Sequence, residues 1–499
     1  MKNIDKIWNE KPILLIMILA IVSRVVAIFF AKGYGMSDDH FLVLEWAQNW
    51  LDGEKINRLR PAGHSIVYPG LHYFVLLAFQ KIGFYKPDFI MYIIRFLHAS
   101  FSLLTIYFGY KIVILRADKK TAAEAGLLLA ILWLFPFMSV RNLIEFVCIP
   151  FIMIAAYYLL KYEDQRKLSF VLFAGLFTGL AFVFRYQVNL FAISFFIVLL
   201  IKKDIKAAIT LTVGFILSSF LIQGIADWVA YGYPYASFLS YYLYNSSNAY
   251  NYTTGAWYVY IFTLIGVLIP PASLFILFGF LNQWKRWAIL FWPVLFFLFF
   301  HSVFPNKQER FILPAIPLLI IVGIAGWREY SSQSPFWQRH IKLHTGLWRW
   351  FWVVNCLLLV FVTTTYSKRA RVETMNYLST KDDITAILVE TSDRTAPQLP
   401  MFYLGKKVPI YTMNMKSSID SIKSEFSKGT VPNYIVMMNY KRIEERNLRL
   451  NQLYPKRVKL TDISPSLIDQ LLYILNPRHN INQRCSIYKV QNDKLNLTE

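Results

Sequence analysis

Long apolar runs alternate with short basic turns along the first two-thirds of the chain. The runs cover roughly residues 12–30, 89–115, 122–138, 145–160, 168–184, 187–201, 206–229, 257–281, 287–304, 311–327 and 348–366. At about 1.5 Å per residue most of them are long enough to cross a hydrocarbon core about 30 Å thick as helices. The shorter runs need snorkelling ends or local thinning of the bilayer. The first run is long and no A-x-A-like cleavage site follows it, so it reads as a retained span rather than a signal peptide. Placing the amino terminus (Lys2, Lys6, Lys11) in the cytosol makes every cytosolic turn basic: Arg116/Lys119/Lys120, Lys161/Arg166/Lys167, Lys202/Lys203/Lys206, Lys285/Arg286 and 328–349. The positive-inside rule selects that orientation, which leaves the carboxyl terminus outside.

Three outer segments carry other patterns. Within 31–88, Phe41, Leu42, Leu44, Trp46, Trp50 and Leu51 fall at near-helical spacing, predicting an amphipathic interfacial helix. The 69–84 stretch is short for a full span and must stay outside for the next basic turn to be cytosolic, so it reads as a juxtamembrane or re-entrant helix. The 230–256 loop holds eight tyrosines and neither lysine nor arginine. After residue 366 the composition changes. Short apolar runs at 386–390, 434–438 and 486–490 predict strands, with helices near Ile384, 417–427 and 465–475. The expected architecture is a polytopic, all-α membrane domain of about 11 helices (1–366) followed by a small extracytoplasmic α/β domain (367–499).

Composition agrees. The 499 residues are 56% hydrophobic and 17% aromatic but only 16% charged, far too apolar for a soluble protein of this length. The formal net charge is +22, but most of the basic residues in the first two-thirds sit between apolar segments, which suits topology and anionic lipids rather than nucleic acid. Cys148, Cys356 and Cys485 lie too far apart for a disulfide framework, and no cysteine–histidine cluster has zinc spacing. There is no P-loop, and no G-x-G-x-x-G follows a strand.

The threading places most of the polar groups near span ends on the outer side. Asp38-Asp39-His40 follows the first span; it reads either as a helix cap built on Ser37 and Asp38 or as an acid–base pair. Arg141 and Glu145 are four apart, which predicts an i,i+4 ion pair on one helix face. Arg185 ends another span, as a snorkelling cation or a ligand-binding one. Asn306-Lys307-Gln308-Glu309-Arg310-Phe311 reads as a turn with a Glu/Arg pair or as a cationic phosphate pocket.

In order and spacing these residues resemble the GT-C membrane glycosyltransferases, and most closely glycosyltransferase family 22, which includes the endoplasmic-reticulum α-mannosyltransferases of N-glycan and glycosylphosphatidylinositol assembly. Ser37-Asp38-Asp39-His40 resembles the family's Pro-Asp-Glu-His-like motif, and Glu45, Arg60-Pro61 and Pro69 fit its following landmarks. Arg141-Asn142-Leu143-Ile144-Glu145, Phe184-Arg185, Asp227, Tyr231-Gly232, Asn245 and the 255–260 segment fall where the family has similar residues. Asn306-Lys307-Gln308-Glu309-Arg310-Phe311 matches its His-Lys-Glu-x-Arg-Phe element, with Asn306 and Gln308 replacing histidine and glutamate. The similarity covers roughly 12–330.

The resemblance implies an inverting transfer of a sugar, mannose first, from a polyprenyl-phosphate donor to a hydroxyl of a glycan or glycolipid. Asp38 would be the general base and Asp39 its helper. Lys307, Arg310 and Arg185 would hold the donor phosphate. His40, Glu45, Arg60, Arg141, Glu145, Tyr244, Asn245 and Trp257 would contact substrate. No cofactor is required on this reading, and the Asp38-Asp39 pair is where a divalent metal would sit if one were used. Partners are the lipid-linked donor, the acceptor and the bilayer, with no nucleic acid. The sequons at Asn245 and Asn251 lie in the outer loop, favouring a bacterial inner membrane over the endoplasmic reticulum. The rival readings are a lipid-linked-sugar flippase or transporter, which needs polar mid-span residues, and a protein or oligosaccharide glycosyltransferase of the same fold.

Overall fold

The computed structural model describes residues 2–392, 397–427, 429–477 and 484–491; the last eight residues of the expected α/β domain lie outside it. Contacts divide the chain into two compact units. The first comprises 1–29, 55–72 and 93–364, and the second 30–54, 73–92 and 365–499.

The first unit is helical, and each of the eleven expected spans falls on a helical stretch. Among the described residues six helical runs have the length and composition to cross a membrane: Pro12–Phe30, Pro87–Ile114, Ile144–Gln165, Ile205–Tyr231, Glu309–Gln333 and Ile341–Thr363. Four further apolar helices are shorter: Leu168–Phe184, Tyr186–Ile201, Ala272–Leu281 and Ala288–Val303. Close crossings are made through small residues. A Cβ on Gly279 would collide with the carbonyl oxygen of Gly323, and one on Gly175 with that of Leu211.

Two expected spans are interrupted. The 122–138 run breaks between Lys119–Ile131 and Leu134–Met138. A break in an apolar surround strands backbone groups that need partners. Asn355 supplies two: its Nδ2 donates to Ile131 O and its Oδ1 accepts from Trp133 N, both at 2.9 Å. Arg24 Nη1 donates to Ala130 O at 2.8 Å, and its Nε donates to Ser102 at 2.9 Å. A mid-span arginine is thus spent on a broken helix end rather than on a transport path. The 257–281 run breaks between Val259–Val267 and Ala272–Leu281. There the indoles of Trp133 and Trp350 donate to Val267 O and Pro270 O, at 3.0 and 3.2 Å.

Among the described residues the second unit holds a five-stranded mixed sheet of order β2-β1-β3-β5-β4. Its strands are β1 (Ile387–Thr391), β2 (Ile410–Met413), β3 (Tyr434–Met438), β4 (Arg457–Ile463) and β5 (Cys485–Val490). β1 lies parallel to β2 and β3, while β5 runs antiparallel to β3 and β4. The three predicted strands are present and central. β2, β4 and the helices Arg369–Ser379 and Ile443–Leu453 are additions, and Ile384 lies outside any helix. Behind the sheet Leu388, Ile422, Phe426, Ile435, Met437, Leu450 and Tyr454 form a common core. Phe30 and Thr363 end their helices on entry to this unit, where Ser367 N donates to Lys32 O at 3.1 Å and Gly33 bridges Ser367. Gly33 (φ +75) is required there, because any side chain would strike the Ser367 carbonyl.

Candidate active site

In the second unit the acidic motif sits at the start of a short helical segment. Ser37–His40 is α-helical, Phe41–Glu45 forms a π-turn and Trp46–Leu51 resumes the α-helix. Met36, not Ser37 or Asp38, is the N-cap, and no side chain caps the turn. The extra residue of a π-turn shifts the helix face locally, a distortion common at functional sites. Here the turn runs from the residue after His40 through Glu45, and His40 Nε2 and Glu45 Oε1 meet at 3.1 Å. The His40 ring is stacked between Tyr34 and Tyr403, with centroids at 4.8 and 5.6 Å. Glu45 Oε1 also accepts from Phe402 N at 2.9 Å. Asp39 is buried, and its Oδ2 accepts from Gly35 N at 3.2 Å; Asp38 beside it is half-buried. Burial pushes the Tyr34 hydroxyl above its ordinary range, while the nearby Arg371 guanidinium pulls it down. His40 and Glu45 therefore act together as a bracket fixing the loop that carries Asp38 and Asp39.

In the first unit the cations gather around one carboxylate. Glu145 lies in the first turn of Ile144–Val147, fully buried. Its Oε1 accepts from Arg185 Nη1 at 2.5 Å and stands 3.6 Å from Arg310 Nε. Arg185 follows directly on Leu168–Phe184 with extended backbone, so its side chain leaves the helix end and lies 5.2 Å above the Phe311 ring. Arg310 also donates from Nε to Gln308 Oε1 at 2.8 Å. Among the described residues, Arg185 Nε and Nη2 and Glu145 Oε2 meet no hydrogen-bond partner, although all three atoms are buried.

The shared helix face predicted for Arg141 and Glu145 is not what the structure has. Helix begins only at Ile144, so the two residues share no helix face. Arg141 is buried in the preceding turn, its guanidinium 4.3 Å above Phe137. Lys307 is buried, which lowers its pKa, and its ammonium donates to the carbonyls of His301 and Ser302 at 2.8 Å and to that of Phe304. It caps the end of Ala288–Val303, with all three N–H groups engaged. Its loop is tied to the tyrosine-rich segment by Lys307 N donating to Thr253 O at 2.9 Å.

The remaining expected residues are peripheral to the arginine cluster's hydrogen bonds. Arg60 is exposed. Tyr244 and Trp257 are exposed, and Tyr244 pairs with Tyr252. Asn245 Nδ2 donates to Tyr241 O at 2.8 Å. The 60–66 loop is held by Ser240 donating to Pro61 O at 2.9 Å, Ala62 N to the Tyr231 hydroxyl at 3.3 Å and Ser65 to Gln223 at 2.5 Å. Asp227 anchors that arrangement, accepting from Ser237 N and Oγ at 2.9 and 2.6 Å.

Against this geometry, the model of the Alg9-like mannosyltransferase family matches residues 13–394. The chain belongs to the Alg9-like mannosyltransferase family. It is an integral-membrane glycosyltransferase of the GT-C class. A search of curated proteins found no match. Among solved structures it is similar to ArnT from Cupriavidus metallidurans in the apo state, with a TM-score of 0.59 and 12% identity over 96% of this chain and 98% of that one. The same enzyme bound to undecaprenyl phosphate gives a TM-score of 0.57 at 11% identity, with the same coverage. The oligosaccharyltransferase AglB from Archaeoglobus fulgidus, in complex with an inhibitory peptide and a dolichol-phosphate, gives 0.50 at 12% identity over 92% of this chain and 74% of that one.

Sequence reading of this family member missed Tyr241 and Gln187. Gln187 donates to the Tyr241 hydroxyl, whose pKa is pushed up to about 12 by burial, with Arg185 opposing and Glu145 reinforcing the shift. Eight tyrosines in one loop hid the half-buried Tyr241. The signal available was its i−4 spacing to Asn245. Among the described residues no three His, Cys, Asp or Glu side chains come together in a metal-binding group.

Proposed function

We propose that the chain transfers a hexose, mannose first by its family, from a polyprenyl-phosphate carrier to a hydroxyl of a glycan or glycolipid at the extracytoplasmic face, with inversion. The observation that carries this reading is Arg185. Its guanidinium is buried, its Nη1 is held by Glu145, and its Nε and Nη2 face no acceptor among the described residues. Those two N–H groups form one edge of the guanidinium, the fork that grips two phosphate oxygens. Buried charged donors without acceptors are costly, so an anion is the expected occupant. Arg310 adds positive charge to the same carboxylate-anchored cluster. Lys307, engaged by carbonyls, shapes the loop instead. The lipid phosphates bound by ArnT and AglB support a lipid phosphate as that anion.

In this reading Asp38 removes the acceptor hydroxyl proton as that oxygen attacks the anomeric carbon. The bond from the anomeric carbon to the phosphate oxygen breaks, and polyprenyl phosphate departs with its charge met by Arg185 and Arg310. The amino terminus is cytosolic and the membrane is a bacterial inner membrane. The test is transfer of radiolabelled mannose from polyprenyl-phosphate-mannose to lipid acceptors in membranes. Asp38→Asn is expected to lower the rate by about 10²–10⁴-fold at unchanged expression. Full activity in a folded Asp38→Asn variant would remove the base assignment. Failure of wild type with every hexosyl carrier tried would remove the donor assignment.

A further inference from the structure

Among the described residues, the second unit presents an apolar helix face that is left exposed. In Leu467–Leu475, Leu467, Leu471, Ile474 and Leu475 are exposed by 64, 39, 73 and 79%. At i, i+4, i+7 and i+8 these residues form a single stripe. Asp469, nearly on the opposite side at about 100° per residue, is fully buried. A helix with one buried polar side and one bare apolar stripe is built to lie in an interface.

Its position in the unit identifies the interface. Asp469 Oδ1 and Oδ2 accept from Lys368 N and Arg369 N at 2.8 and 3.0 Å, at the start of the Arg369–Ser379 helix. Ser466 and Asp469 also form a capping box, which fixes the helix start at this point. Lys368 is five positions beyond Thr363, the last residue of a membrane-spanning helix, and so at most about 18 Å from it. Gly33, which bridges Ser367, is three positions beyond Phe30, the end of another span, and at most about 11 Å away. The Leu467–Leu475 helix therefore sits at the end of the unit where two spans deliver the chain. It caps the amino-terminal end of Arg369–Ser379 with its polar side and carries its apolar stripe on the helix side opposite Asp469. Lys32, Lys368 and Arg369 at the same end supply the positive charge that suits lipid phosphates.

We infer that Leu467–Leu475 is an in-plane membrane helix whose Leu467, Leu471, Ile474 and Leu475 insert at the headgroup–acyl boundary of the bilayer. It would hold the soluble-looking unit against the surface from which a lipid-linked donor is drawn. The occupant is phospholipid rather than a second protein copy, because the stripe is tethered within a few residues of two spans.

The test uses the full chain in nanodiscs of phosphatidylethanolamine and phosphatidylglycerol, in a Cys356→Ser background. Cys148 and Cys485 are buried. An environment-sensitive fluorophore is attached at Leu471→Cys or Leu475→Cys, with Ser421→Cys on another helix of the same unit as the reference. Blue-shifted emission and loss of intensity with doxyl-labelled lipids are expected at both stripe positions and not at Ser421→Cys. Emission at both positions as polar as the reference, without lipid quenching, would overturn the inference. So would a blue shift that appears only when two copies share a disc. Using both positions guards against one variant failing to fold.

Discussion

Each unit contains a buried arginine–carboxylate pair, and the two are finished differently. In the second unit Arg446 meets Glu390 through Nε, at 2.9 Å to both carboxylate oxygens, and through Nη2. Its Nη1 donates to Asn439 O, Asn439 Oδ1 and Lys441 O, and its Nη2 also to Met438 O at 2.7 Å. Every nitrogen is used, and the pair ties the β1 and β3 ends to Ile443–Leu453. In the first unit Arg185 has one nitrogen on Glu145 and two without acceptors among the described residues. Proteins rarely leave buried charged donors unmet, so the saturated pair reads as structural and the unsaturated one as a place for a ligand.

The largest effect should come from the saturated pair. Arg446→Met leaves Glu390 buried without its partner and should cost about 3–5 kcal/mol of stability. Thermal or denaturant unfolding of the purified protein would measure it. Glu390→Leu combined with Arg446→Met should recover most of that loss. If the double variant is no more stable than the single one, the pair does more than hold the fold.

Arg185→Lys should behave in the opposite way. It keeps the charge and can keep Glu145 but loses the two-pronged edge, so sugar transfer should fall by about 10²–10³-fold with little change in unfolding. A large loss of stability with unchanged activity in the folded fraction would make the two pairs alike. That outcome would end the phosphate reading of Arg185.

This contrast was half legible in the sequence. The spans could be read because twenty apolar residues in a row have few other fates, and β1, β3 and β5 because their short apolar runs are bounded by polar ones. Edge strands β2 (Ile-Tyr-Thr-Met) and β4 (Arg-Val-Lys-Leu-Thr-Asp-Ile) mix polar and apolar positions and left no such mark. Arg185 and Arg310 were singled out, but their meeting at Glu145 depends on residues 40 and 165 positions away. Chain spacing suggested Arg141 instead, because it could not reveal that helix starts at Ile144. The interruption at Leu132-Trp133 was hidden for the same reason: its partner, Asn355, is 222 residues from Trp133.

That interruption provides a third variant, a saturated polar device inside the membrane unit. Asn355→Leu strands Trp133 N and Ile131 O and should cost about 1–3 kcal/mol, measured as a lower melting temperature in detergent. Activity of the folded fraction should hold. Because Arg24 still serves Ala130 O, the loss should stay below that of Arg446→Met.

The smallest effect is expected at a saturated but solvent-washed cluster on the sheet edge. Asp462 in β4 accepts from Lys459 at 2.8 Å, Arg484 at 2.5 Å, Ser486 at 2.6 Å and Tyr440 at 3.1 Å. Partial burial alone would raise its pKa. The hydrogen bonds from Lys459, Ser486 and Tyr440, with the Lys459 charge, outweigh that and hold it down at about 2. An acid whose folded pKa lies below its unfolded value, near about 4, stabilises the fold above that unfolded value. The contribution disappears as pH falls from about 4 toward 2. The melting-temperature difference between wild type and Asp462→Asn should therefore be constant from pH 7 to about 5 and close as pH drops below about 4. Solvent screening keeps the difference smaller than that of either buried-pair variant. A gap that persists unchanged to the acid limit would mean the asparagine perturbs β4 itself, and that charge contributes nothing at this edge.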